Sequence, residues 1–130
     1  MIQITIRDES MMGKVSNEFL LETGSPNITV QELIRLRIYY EVAEHNRKRP
    51  DYFKGLVQPT EAETILNGHK LAERKLVDAE KQYYLALEAF KTNGFFLLVD
   101  HHQFTELEEQ LELAPSSTVS FIKLIPLIGG

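Results

Sequence analysis

The chain ends in Ile125-Pro126-Leu127-Ile128-Gly129-Gly130, which puts a carboxylate on two residues that lack Cβ. A backbone so slim can pass along a narrow channel and take whatever φ the channel demands. A carboxylate delivered that way can first be activated and then offer its carbonyl carbon to successive nucleophiles. Bulk at Gly129 or Gly130 would block each step. Leu124, Ile125, Leu127 and Ile128 offer an apolar grip outside such a channel, and Pro126 holds the stretch extended, which lowers the ordering cost of binding.

Other reactive sets are thinner. The chain has no cysteine, which excludes a disulfide framework, a thiol nucleophile and Cys-ligated zinc, so any thiol relay must come from partners. His45 and His69 fall on helical patterns, and His101-His102 sit in a turn with no third ligand at a completing spacing. Glu106, Glu108, Glu109 and Glu112 read as a solvated face, and Tyr83, Tyr84 and Phe90 at helical spacing read as core. Without a nucleophile elbow, P-loop or dinucleotide fingerprint, no intrinsic enzyme, metal or cofactor is expected.

The bulk numbers agree with a single domain over residues 1–130. Of the 130 residues, 43% are hydrophobic and 25% charged, which is ordinary globular composition without disorder or repeats. The net charge of −5 argues against nucleic acid. The one dense basic cluster, Arg47-Lys48-Arg49, closes a helical pattern, where cations suit the dipole. The N-terminus lacks the apolar core of a signal peptide and no segment has membrane-spanning length, so a cytoplasmic protein is expected.

Around the tail the pattern is α+β. Ile2, Ile4 and Ile6 alternate with polar residues as a half-buried strand does. Met11-Met12-Gly13-Lys14 supplies a turn, and Val15–Thr23 a second strand, broken by Gly24-Ser25-Pro26-Asn27. Thr29 and Glu32 form a capping box for a helix whose stripe is Val30, Leu33, Ile34, Ile38 and Val42, with Ile28 stapling onto Leu33. Asp51–Pro59 is a connection anchored by Tyr52, Phe53, Leu56 and Val57. A second capping box, Thr60 with Glu63, predicts a long helix to Asn93-Gly94 along the seam Ile65, His69, Ala72, Leu76, Ala79, Tyr83, Ala86 and Phe90. At about 1.5 Å per residue it would reach roughly 50 Å, so it must project, bend near Gly68 or pack on a partner. Phe95–Val99 reads as a buried strand, Asp100–Gln103 as a turn, Thr105–Gln110 as a short helical turn, and Thr118–Ile125 as a last strand apolar on both faces, hence central.

Hairpin, helix, buried strand, turn and a final strand running into Gly129-Gly130 resemble the β-grasp fold of ubiquitin-like proteins. The match is closest from Leu97 to Gly130, through Leu97-Leu98-Val99, Phe104 and Ser117-Thr118-Val119. Residues 51–93 would be a helical insertion, and 125–130 the tail. The apolar Pro126-Leu127-Ile128 departs from ubiquitin and is similar to the sulfur carriers of molybdopterin and thiamin synthesis. Bacterial ubiquitin-like proteins encoded with activating, conjugating and deconjugating enzymes are similar too. The resemblance implies a modifier whose Gly130 is adenylated by an activating enzyme with ATP and magnesium. Gly130 would then pass to a conjugating enzyme, be joined to an amine of a target protein, and be released by a deconjugating peptidase. The alternatives are a sulfur carrier ending in a thiocarboxylate, or a self-associating structural module. Ubiquitin's recognition patch, carried over, would bring Leu98 and Leu124 together on the sheet. Lys14, Lys54, Lys70 and Lys123 are the lysines considered as acceptors for chains.

Overall fold

The N-terminal alternation forms β1 (Ile2–Ser10), which turns Ile4, Ile6 and Asp8 to the interior. The computed structural model describes residues 1–48, 52–53, 55–57, 62–65, 68–71 and 76–124. β1 pairs antiparallel with β2 (Val15–Thr23), from Ile2 opposite Thr23 to Glu9 opposite Val15, with a register shift between Asp8 and Glu9. The connecting turn needs Gly13, whose φ of 85° disfavours a side chain. The Ser10 hydroxyl accepts the Met12 and Lys14 N–H groups and closes it.

The last described strand, β10 (Thr118–Lys123), inserts parallel to β1, with Ile6 opposite Val119 and Asp8 opposite Phe121. On its other side it runs antiparallel to β7 (Phe95–Val99), which pairs with β8 (His102–Phe104). The five-stranded mixed sheet has the order β2-β1-β10-β7-β8. β10 is therefore central, which accounts for its apolar residues on both faces. Val119 and Phe121 are fully buried, while Ile122 and Leu124 are half-buried. Asp100 and His101 both take positive φ, 49° and 72°, so the β7–β8 turn has the hand that strand twist favours. The Asp100 side chain accepts the Thr118 N–H at 2.9 Å and fastens this turn to the start of β10.

One face of the sheet is covered by α1 (Val30–Lys48). The capping box forms: the Glu32 N–H donates to the Thr29 hydroxyl at 3.1 Å, and the Thr29 N–H reaches the Glu32 carboxylate at 3.5 Å. The whole expected stripe, Val30, Leu33, Ile34, Ile38 and Val42, is buried against Ile4, Ile6, Leu97, Val119 and Phe121. Fully burying each such side chain contributes about 1.5–3 kcal/mol. Two short strands that the sequence reading did not anticipate, β3 (Asn27–Thr29) and β9 (Gln110–Glu112), pair beside the start of α1.

The long helix between α1 and β7 is corrected. Residues 52–71 contribute β4 (Tyr52–Phe53), β5 (Ala62–Ile65) and β6 (Gly68–Leu71), ordered β4-β6-β5. Among the described residues of this region, helix begins at α2 (Ala79–Lys91). Glu63, expected to close a capping box, instead pairs with Lys70 across the β5–β6 ladder, and Thr60 and Ala72 lie outside the described residues. Two physical reasons account for this. Gly68 would cost a helix interior about 1 kcal/mol, and Asn67-Gly68 is a strong turn signal. Asp78 is the cap that wins, since its carboxylate accepts the Glu80 and Lys81 N–H groups at 3.0 and 3.2 Å. The helical turn expected at Thr105–Gln110 is also replaced. There the Glu109 carboxylate accepts the N–H groups of Thr105 and Glu106 and closes an irregular turn.

Candidate functional site

The tail's point of departure is the end of β10. Leu124 keeps its place in the ladder, its N–H donating to the Gly94 carbonyl at 3.3 Å. Ile125, Pro126, Leu127, Ile128, Gly129 and Gly130 lie outside the described residues.

On the sheet face away from α1, Leu98 stands opposite Ser120, while Phe96 stands opposite Ile122. Leu124 shares the face of Ser120 but lies four residues further along, about 13 Å at strand rise, so Ile122 separates the two leucines. Leu98 and Ile122 instead share a shallow depression with Arg7, Glu9, Thr118 and Ser120. Arg7 pairs with Glu18 across β1 and β2 at 3.2 Å, and Leu20 further along β2 is exposed. This face is mixed in character, with small apolar islands between charges.

Beneath the end of β10, on the α1 side, sits a cluster that sequence reasoning missed. Asp8 is 1% exposed and Arg37 is 0%. The Arg37 fork grips Asp8 with both Nη atoms, Nη2 donating to Oδ2 at 2.7 Å and Nη1 to Oδ1. Its Nε donates to Glu41 Oε2 at 3.2 Å, and its plane lies 4.5 Å from the Phe121 ring centroid and 5.5 Å from that of Phe19. Lys123 Nζ comes within 3.7 Å of Asp8 Oδ2.

The circuit closes through a backbone peptide. Lys123 Nζ donates to the Gly55 carbonyl at 3.2 Å, and the Leu56 N–H of the same peptide unit donates to Glu41 Oε1 at 3.0 Å. A cation thus faces the negative end of the peptide dipole and an anion its positive end. The four side chains alternate in charge around the ring Asp8, Arg37, Glu41, Lys123 and sum to zero. Two residues on from Gly55, the Val57 carbonyl accepts from Gln82 Nε2 of α2 at 3.0 Å. Gln82 is itself buried.

Burial works against charge at Arg37, Glu41 and Lys123. It depresses Arg37, but Glu41 and Asp8 outweigh it and the guanidinium is held above its ordinary range. At Glu41 burial prevails over Arg37 and the Leu56 N–H, and pushes the carboxyl upward. At Lys123 burial likewise outweighs Asp8 and lowers the ammonium. A signal for this cluster exists in the sequence. Asp8 continues the inward alternation of Ile4 and Ile6, Lys123 that of Val119 and Phe121, and Arg37 and Glu41 fall in phase with the α1 stripe.

Of the lysines considered as acceptors, Lys14 is exposed, Lys54 lies outside the described residues, Lys70 belongs to β6, and the Lys123 amine is engaged in the ring. Among the described residues, no group of three or more His, Asp or Glu is gathered to hold a metal. His101 and His102 are exposed, with the His102 ring edge-on to Phe104. No described helix is long and apolar enough to cross a membrane. No protein-family model, curated protein or solved structure matches the chain.

Proposed function

We propose that this chain is a ubiquitin-like modifier of the β-grasp type, working through the Gly130 carboxylate. The observation that carries the reading is the sheet order β2-β1-β10-β7-β8, with β10 parallel to β1 and leading toward Gly129-Gly130. A central strand clamped on both sides is a firm base from which to present a slim chain end. The chemistry belongs to partners in the cytoplasm. A Gly130 carboxylate oxygen attacks the α-phosphate of magnesium-bound ATP, and pyrophosphate leaves. A cysteine thiolate of the activating enzyme then displaces AMP from the acyl adenylate to give a thioester. After transfer to a conjugating-enzyme cysteine, a target amine attacks the carbonyl, forms an amide and releases the thiol. A deconjugating peptidase hydrolyses that amide. Leu124 and Ile125–Ile128 supply the apolar contact with these partners. The chain itself catalyses nothing and is the group transferred.

The test is intact mass after incubation with ATP, magnesium and any activating and conjugating enzyme homologues of the source organism, with a chain lacking Gly129-Gly130 in parallel. Thioester and amine adducts present only with the full chain are expected. Replacement of one oxygen by sulfur would assign a carrier in place of a modifier. Absence of both species would refute carboxyl activation and leave self-association of the apolar tail as the reading to pursue.

A further inference from the structure

The ring of charges grips one peptide from both ends, and that peptide lies beside the residue that precedes the tail's root. Three side chains from three elements hold the backbone of Gly55, Leu56 and Val57: Lys123 of β10, Glu41 of α1 and Gln82 of α2. Leu56 packs into the core, 7% exposed. A segment needing only to cross from α1 to α2 would not require buried charges to fix a single peptide plane. Charges so placed are costly to desolvate and are retained where position matters more than stability.

We propose that Lys123 and Glu41 are positioning residues for docking of the activating enzyme, locking Gly55–Val57 beside Lys123 at the end of β10 as a fixed shelf. This rests on the carboxyl-activation reading above. Lys123 lies one residue before Leu124, so any play in the Gly55–Leu56 peptide is transmitted directly to the strand end. Preorganisation of this kind lowers the ordering cost of docking and acts on binding rather than on the chemical step. A ring serving fold stability alone would affect unfolding and leave docking of the folded protein unchanged.

The experiment measures ATP–pyrophosphate exchange by the activating enzyme that charges the unaltered chain against concentration of this protein, comparing Lys123→Met, Lys123→Arg and the unaltered chain. Hydrogen exchange at the Leu56 amide is read on the same samples. Expected are a KM about tenfold higher for Lys123→Met with kcat within about twofold, and substantial restoration by Lys123→Arg. Leu56 amide protection should fall in the first variant and recover in the second. An unchanged KM in folded Lys123→Met overturns the inference, as does equal impairment by Met and Arg. Should Lys123→Met fail to fold, Gln82→Met is read instead. It leaves the ring's charges in place and frees the Val57 carbonyl, and a KM equal to that of the unaltered chain overturns the inference. No exchange with the unaltered chain refutes carboxyl activation, and this inference with it. Exchange with an indifferent Lys123 refutes this inference alone.

Discussion

Replacing Arg37 by Met keeps an apolar stem against Phe121 and removes the fork that serves two carboxylates. Among the described residues, Asp8, 1% exposed, would retain Lys123 at 3.7 Å, and Glu41 the Leu56 N–H at 3.0 Å. Removing one partner of a buried pair costs about 3–5 kcal/mol, because the charge left behind stays desolvated. Against a total of about 5–15 kcal/mol for a domain, that loss is large. With a urea slope near 2 kcal/mol/M, the midpoint should fall by about 2 M. The penalty should also depend on pH in a definite direction. Glu41 is already raised above its ordinary 4.5 by burial, so its favourable contribution is complete below that value and is lost as pH rises through the folded-state pKa. Without Arg37 the carboxyl is raised further, and the variant's deficit should shrink as pH falls from about 7 toward 5. Urea titrations at both pH values check this, together with Asp8→Asn and the double variant, whose effects should fall short of additive. A deficit under about 1 kcal/mol, or one indifferent to pH and additive with Asp8→Asn, would refute a charge-coupled ring and leave simple packing.

Two further outcomes follow from the local geometry. Asp78→Ala removes the acceptor for two helix N–H groups and should lower stability by about 1 kcal/mol, with the loss of helical signal confined to the start of α2; thermal melts with helix-resolved hydrogen exchange check it. Burial lowers the His45 pKa, so its contribution to stability is present above the ordinary value of 6.5 and is lost as pH falls through the folded-state pKa. Melting midpoints of the native chain should therefore drop more steeply than those of His45→Gln between about pH 7 and pH 5, and parallel profiles would contradict this.

What was legible in the sequence was whatever period and capping could write. The Ile2, Ile4, Ile6 alternation and the Val30–Val42 stripe led to β1 and α1 because hydrophobic burial alone decides them. The region after Lys48 was misread for the converse reason. Ile65, His69 and Ala72 keep helical spacing, yet a four-residue apolar recurrence is cheap to produce by chance. Pairing with β6 and the cost of Gly68 decided the matter, and neither is a periodicity. Small ladders such as β3–β9 join residues far apart in sequence, so neither partner carries a signal by itself. The charged ring was visible only as four exceptions, Asp8, Arg37, Glu41 and Lys123, each standing where the local pattern asks for an apolar side chain. Reading such exceptions together, and not as lapses in the pattern, would have located it.

The parallel pairing of the first strand with the last has a consequence for how the protein is made. β1 is synthesised long before β10, and it cannot acquire its inner neighbour until Thr118–Lys123 has been added. Until then Ile4 and Ile6 lack Val119 and Phe121, and β2 and β1 form a two-stranded ribbon whose inner face has α1 but no central strand beside it, which is marginal in water. Such a sheet is dominated by contacts distant in sequence and is expected to close slowly and late. A prematurely terminated chain would expose an unfilled strand position and invite proteolysis. The topology therefore ties closure of the sheet to the synthesis of its central strand.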